Sequence, residues 1–257
     1  MDLAAIVGIG LAFAAIFGAQ VMEGGDPVSI LLPAPLMLVV FGTLGAAMAG
    51  GVLKDATGLG GQLVRAFTSK TTASGDLVDA VVALAERARR EGLLALEDAA
   101  KAVTHPFLRR GLEMAIDGTD PEELGEIMHA EVEAKRKADK TGAKIFADMG
   151  GYAPTIGIIG TVMGLVHVLA SLSDPAKLGE LIAGAFVATL WGVMLANVVF
   201  LPLGSRLKRI SELECDQMEL AIEGVLAIQA GANPRLVAQK LRSLLPPGKA
   251  DKNAKAA

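Results

Sequence analysis

Four stretches of the chain carry no charge for long enough to cross a bilayer: residues 3–22, about 28–53, 149–172 and 181–203. A membrane-spanning helix needs about 20 such residues. Lys54 closes the second stretch, and only His167 within the four is even weakly ionisable. Elsewhere the pattern turns polar and takes on a 3.6-residue period, with no useful run of strand-like alternation. Ser74 or Asp76 can cap a helix over about 77–102, with Val81, Leu84, Ala85 and Ala88 on one face. Gly92 interrupts that helix, and His105-Pro106 ends it, because the residue before a proline avoids the helical region. A short helix covers about 106–117. Asp120-Pro121-Glu122-Glu123 then starts another: an Asp cap, a proline at the first position and acids in the first turn. It runs through Met128, Val132 and Lys135-Arg136-Lys137, and its pattern allows continuation into the third apolar stretch.

The C-terminal part follows the same logic. Residues 205–229 read as one amphipathic helix, stopped by Gly231. Asn233-Pro234 restarts a shorter helix to about Leu245, Pro246-Pro247-Gly248 ends it, and 249–257 read as a disordered tail. The pattern therefore predicts an all-α integral membrane protein with four transmembrane helices and a helical cytoplasmic domain. The expected organisation is a transmembrane hairpin over 1–53, a cytoplasmic helical segment over 54–148, a second hairpin over 149–204, and cytoplasmic C-terminal helices with a tail over 205–257.

Composition sharpens this picture. Hydrophobic residues make up 52% of the 257 and charged residues 20%, with mean hydropathy +0.48. Ordinary soluble domains carry roughly a quarter charged residues. The single cysteine, Cys215, excludes a disulfide scaffold, and three scattered histidines (His105, His129, His167) argue against a zinc site. No metal site, resident cofactor, catalytic residue or nucleic-acid footprint is expected, so the reading is not an enzyme. Met1-Asp2 provides no basic n-region and the first apolar run is too long for a signal peptide, so this segment is expected to be retained.

Charge also sets the orientation. Of the 24 Lys and Arg residues, only Lys177 lies in either short loop joining paired apolar stretches; the other 23 fall in the long middle segment and the C-terminal part. Lys54, Lys140, Lys144, Arg206, Lys208 and Arg209 stand close to the ends of the apolar stretches, where the positive-inside rule counts them. Both termini and the middle segment are thus expected on the cytoplasmic side.

The spans contain no Asp or Glu. A chain that moves cations unaided usually keeps a carboxylate at membrane depth, so either this chain moves no ions or a partner brings the charge. What the spans do carry is small residues in stripes: Gly157, Gly160, Thr161 and Gly164 in the third, and Gly184, Ala188, Gly192 and Ala196 in the fourth. Such stripes let helix backbones approach closely in lipid. They serve packing within the chain or packing against neighbouring subunits, and the pattern leaves both open. Pro154 near the start of the third span frees a backbone carbonyl and makes a flexible point. Thr161 and Thr189 place hydroxyls inside the spans; each can bond back to its own helix or help coordinate a hard cation such as sodium. His167 reads as a neutral interfacial histidine.

Several of these motifs also resemble a known family. Ala185-Phe186-Val187-Ala188-Thr189-Leu190-Trp191-Gly192-Val193-Met194 with Pro202 following, Gly151-Tyr152-Ala153-Pro154 through Gly164, Arg89-Arg90-Glu91-Gly92-Leu93-Leu94-Ala95-Leu96-Glu97, and Gly231-Ala232-Asn233-Pro234 occur in the order found in the MotA/PomA family of flagellar motor stator subunits. The resemblance covers essentially the full chain. It implies a ring of five A-type subunits around a pair of MotB- or PomB-type subunits, which bring a membrane aspartate; ion flow turns the ring against the rotor protein FliG in the bacterial cytoplasmic membrane. By the same resemblance, Arg89 or Arg90 and Glu97 would touch the rotor, Pro154 would couple ion binding to movement, Thr189 would lie along the ion path, and Pro234 would maintain the tail geometry. Thr161 matches a threonine of sodium-type members; sodium and proton (Na+ or H+) both remain open as the transported cation. A related reading is an ExbB/TolQ-like subunit of an ion-driven energy-transducing complex, although that family usually has three spans. Without the resemblance, Glu86, Arg89, Arg90 and Glu97 would read as a solvated helix face with intrahelical pairs.

Overall fold

The structure, a computed structural model, describes residues 4–52, 57–69 and 74–245. The expectations for Leu3, Leu53, Lys54, the stop at Pro246-Pro247-Gly248 and the tail 249–257 lie outside the described residues. No strand occurs among the described residues. The chain forms two compact units, one of residues 1–70 with 139–210, the other of residues 71–138 with 211–257.

The first unit is apolar. It contains α1 (Ala4–Met22), a 3-10 turn (Pro27–Ile30), α2 (Pro33–Ala49), α3 (Leu59–Thr68), the second half of α7 (Pro121–Ala170), α8 (Pro175–Met194), a π-helical segment (Leu195–Phe200) and the start of α9 (Leu201–Gln229). Among the described residues, three helical stretches are long and apolar enough to cross a membrane: Ala4–Met22, Pro121–Ala170 and the continuous run Pro175–Gln229. Pro33–Ala49 is apolar but shorter, at 17 residues. The expected second span over 28–53 is thus corrected: a 3-10 turn capped by Asp26, whose Oδ1 accepts from the Val28 amide at 2.9 Å, occupies its first turn. The α-helix begins only at Pro33, because Pro33 and Pro35 lack the amides that would extend the turn into it.

Much of this unit's apolar surface faces outward. α1 buries no residue, and Phe41, Val162, Leu169 and Phe186 are all more than half exposed. Apolar surface of this extent implies a cover of lipid or protein. Its interior combines large side chains, among them Phe146, Met149, Trp191 and Leu203, with small residues where α7 and α8 meet. α3, which no periodic signal marked, is held by a bidentate pair from Arg65 to Asp139 (2.5 and 2.9 Å) and by Arg206 Nε donating to the Ala66 carbonyl at 2.5 Å. Asp139 is buried, and its charge is compatible with burial because the guanidinium fork matches both oxygens.

The second unit is a conventional helical core. α4 (Ser74–Glu91), a 3-10 turn (Leu93–Leu96), α5 (Glu97–Ala102), α6 (Pro106–Ile116), the first half of α7, the second half of α9 and α10 (Pro234–Ser243) pack together. Val81, Leu96, Leu108, Leu112, Leu124, Val132, Ile222 and Leu241 are essentially fully buried there. Its surface carries ion pairs between helices, among them Lys135–Glu214 at 2.7 Å, Arg136–Glu219 at 3.5 Å and Arg242–Asp79 at 3.4 Å. The helix expected over 77–102 is corrected: Gly92 takes φ +86°, a left-handed conformation that ends α4, so α5 is a separate element. α4 also begins at Ser74, ahead of the start expected near 77, so Ser74 and Asp76 lie in its first turn rather than before it. Other starts and stops follow their signals. Asp120 Oδ1 accepts from the Glu122 amide at 2.9 Å, Gly231 stops α9 at φ +62°, and Asn233 Oδ1 accepts from the Arg235 amide at 3.0 Å to open α10 behind Pro234. α7 runs unbroken through Pro154 for 50 residues.

Candidate functional site

The third and fourth apolar stretches meet along the small-residue stripes. An added Cβ on Gly157 would lie 2.8 Å from the Ala188 carbonyl oxygen and 3.1 Å from the Thr189 Cα; one on Gly192 would lie 2.6 Å from the Ala153 carbonyl oxygen. Gly160 faces Ala188, Gly164 faces Ala185, and Gly184 faces Leu32 of the segment leading into α2. This geometry shows the stripes packing within the chain. The backbones of α7 and α8 touch because nothing larger than hydrogen stands between them.

That approach brings the two threonine hydroxyls together. Thr161 Oγ1 and Thr189 Oγ1 are 2.5 Å apart. Thr161 also reaches the Gly157 carbonyl of its own helix at 3.3 Å and the Ala185 carbonyl of α8 at 2.9 Å. Thr189 reaches across to the Gly157 carbonyl at 3.3 Å. The bonding is therefore crossed: each hydroxyl addresses the carbonyl one turn before the other threonine. Two hydroxyl protons serve four short contacts, so at any instant only two are donated bonds. The cluster is oxygen-rich, uncharged and part-buried, and it has lone pairs left over for a cation or a proton.

Pro154 lies one turn before Gly157 on the same helix. Next to it, Thr155 Oγ1 donates to the Tyr152 carbonyl at 2.7 Å. Past the cluster, α8 widens into the π-helical segment, where Asn197 Nδ2 donates to the Val193 carbonyl at 2.8 Å. Such widenings recur at functional sites. Neither the π segment nor Asn197 was anticipated; an amide-bearing side chain in an otherwise apolar span was the available signal.

The charged candidates belong to the second unit. Arg89 and Arg90 end α4, are exposed, and have no ion-pair partner among the described residues. Glu97 opens α5 beyond the Gly92 break and accepts from Lys101 Nζ at 3.1 Å, which Asp98 shares at 3.4 Å. These acids raise the Lys101 pKa, the hydrogen bond it donates to Glu97 most. Pro234 sets the first turn of α10, whose Val237 and Leu241 are buried in the core that α4 also lines. The structure thus brings Thr161 and Thr189 together, separates Arg90 from Glu97 by the Gly92 break and a 3-10 turn, and places Pro234 at a helix start.

Comparison with known proteins places this geometry. Residues 6–92 match the family model described as "Motility protein A N-terminal", and residues 99–220 match that of the "MotA/TolQ/ExbB proton channel family". Motility protein A of Bacillus subtilis is 37% identical over 96% of this chain and 92% of its own length. The chain belongs to the motility protein A family. The flagellar MotAB stator complex of Bacillus subtilis contains a chain 36% identical over 98% of both chains, with a TM-score of 0.89. The corresponding chain of C. jejuni MotAB is 30% identical over 96% of this chain and 97% of that one, with a TM-score of 0.92. Family and apolar helices together make this a membrane protein of the ion-channel class, and its relatives are motor components rather than enzymes. The ExbB/TolQ-like alternative is not favoured, because the match over 6–92 and the near full-length relatives are motility proteins.

Proposed function

We propose that this chain is an A-type stator subunit of the bacterial flagellar motor, forming with a MotB- or PomB-type partner a channel whose cation flow drives rotation. The near full-length likeness to the A chains of stator complexes carries the reading. The carboxylate-free spans fit it: the partner's membrane aspartate supplies the missing charge, and the Thr161–Thr189 oxygen cluster offers the uncharged half of the ion path. Four spans fit the apolar stretches, made of α1, α2 with its 3-10 turn, the apolar half of α7, and α8. The distribution of Lys and Arg supports cytoplasmic termini and a cytoplasmic second unit in the bacterial plasma membrane.

In this reading several A subunits, five by family resemblance, surround the partner pair. Moving one charge through about 100 mV releases about 2.3 kcal/mol, sufficient to bias a conformational step. Pro154, one turn from the hydroxyl cluster, is the point where α7 lacks an internal hydrogen bond and bends at least cost. Arg89, Arg90 and Glu97 present exposed charge for FliG; exposed pairs are worth about 0–1 kcal/mol each, so contacts form and break readily. Pro234 holds α10, and through the shared core α4, in register.

The test is swimming of a strain lacking its own stator when this chain is supplied with a B-type partner. Restored swimming is expected, and the speed against external sodium at fixed pH separates sodium from proton coupling. The chain and partner present together in the membrane without swimming would overturn the reading. The double variant R90A/E97A is expected to slow swimming while membrane assembly is kept.

A further inference from the structure

The only tryptophan of the chain, Trp191, is buried in α8 two residues beyond Thr189. Its indole Nε1 donates to the Ile30 carbonyl at 2.6 Å. The acceptor is left open for a reason written in the sequence. Ile30 ends the 3-10 turn, and the first amide able to reach back to it would come from residue 33, which is a proline. A polar backbone group shielded from water and left without a partner is costly, and among the described residues the indole N–H is what meets this one. Ile30, Val39, Val187, Trp191 and Met194 bury together, with Phe17 and Leu36 against them.

The two faces of α8 are thereby distinct. At 100° per residue, Val187, Trp191 and Met194 share one side, while Ala185, Ala188, Thr189 and Gly192 share the side nearly half a turn away. The first side packs on the 3-10 turn and α1–α2; the second carries the hydroxyl and touches α7. A hydrogen bond directed at one fixed carbonyl determines rotation about the helix axis, which apolar contact alone defines loosely. We infer that the Trp191–Ile30 hydrogen bond sets the rotation of α8 and so positions the Thr189 hydroxyl against Thr161 and Gly157. Trp191 is a positioning residue for the ion path, an assignment that rests on the stator reading for its functional meaning but not for its geometry.

The geometry is tested by cross-linking. In full-length chain in membranes, with Cys215 replaced by serine, the pair T161C/T189C oxidised by copper-phenanthroline should form an intrachain disulfide rapidly. Adding W191F, which keeps the ring and removes the donor, should slow it at least fivefold. P33A keeps Trp191 but returns an amide to Ile30, and should slow the reaction comparably while shifting the tryptophan emission. An unchanged rate in both variants would overturn the inference; should W191F fail to reach the membrane, P33A alone decides. With native threonines and the partner present, W191F should raise the external cation concentration for half-maximal swimming about three- to tenfold with top speed largely kept. Failure of the unsubstituted chain to drive swimming counts against the stator reading, whereas the cross-linking rate decides the positioning role.

Discussion

The two units of this chain solve the same packing problem with opposite materials. In the polar unit, α4, α6, α7 and α9 are spaced by large side chains; Leu108, Leu112 and Ile222 are fully buried, and charges remain on the surface. In the apolar unit, α7 and α8 approach until glycine meets backbone, and many large side chains, such as Phe41, Leu169 and Phe186, point outward. The difference follows from the surroundings. Where water is outside, burying leucine is itself the driving force. Where apolar surroundings cover the outer face, leucine gains little by turning inward, and close backbone contact with shared hydrogen bonds takes over. α7 takes part in both schemes along one uninterrupted helix, changing from a Leu124–Met128–Val132 face to a Gly157–Gly160–Gly164 face.

Substitutions can break or sharpen this contrast. The largest effect is expected in the polar unit: Leu112→Ala leaves a cavity in a fully buried site and should cost about 2–5 kcal/mol, read as a lowered thermal midpoint of the purified chain. Leu169→Ala on the exposed apolar face is the control, and a comparable loss there would refute the contrast. Next comes Gly157→Ala. Its methyl would stand against the Ala188 carbonyl and the Thr189 backbone, so α7 and α8 must separate at about 1–3 kcal/mol. The T161C/T189C cross-link should slow with it; a neutral effect would mean that the close approach is not needed.

Asp139→Asn weakens the buried fork with Arg65 and should cost about 1–3 kcal/mol. Limited proteolysis near α3 would reveal it, since the fork is one of the ties that hold this helix. The smallest effect is pH dependence at His105. Its Nδ1 accepts from the Leu108 amide at 3.3 Å, and burial holds its pKa below the usual value of 6.5. The unfolded chain therefore takes up the proton first. Stability from this group is full above about pH 6.5 and declines as pH falls from there through the folded-state pKa. His105→Asn keeps an acceptor for the cap and should flatten that part of the acid melting curve; an unaltered curve would assign the acid sensitivity elsewhere.

Much of this was legible in the residues. Asp120-Pro121, Asn233-Pro234 and Gly231 act locally, through caps and dihedral limits, so their helix ends follow from a few neighbours. The apolar stretches and the missing carboxylates are likewise linear facts. The 3-10 turn before α2 was misread because hydropathy measures composition and not hydrogen bonding: Pro27, Pro33 and Pro35 interrupt a run that is apolar throughout. The break at Gly92 was read as an interruption within one helix over 77–102, since a glycine's sign of φ is chosen by what the following turn packs against. α3 escaped notice because its Arg65 fork and its Arg206 contact come from far along the chain.

The amino-acid order alone determined which segments other than α3 are helical, which are apolar, where most helices start and stop, and that no span brings its own acid. Each of these depends on interactions within a turn or two, or on the bare presence of a side chain. Only the folded arrangement decided that the two glycine stripes face one another within one chain, that Thr161 and Thr189 exchange carbonyls, and that the indole of Trp191 finds the Ile30 carbonyl that Pro33 left open. Those contacts join residues 28 to 161 positions apart, and pairing at that range is selected by close packing of whole helices, which periodicity along the chain does not encode.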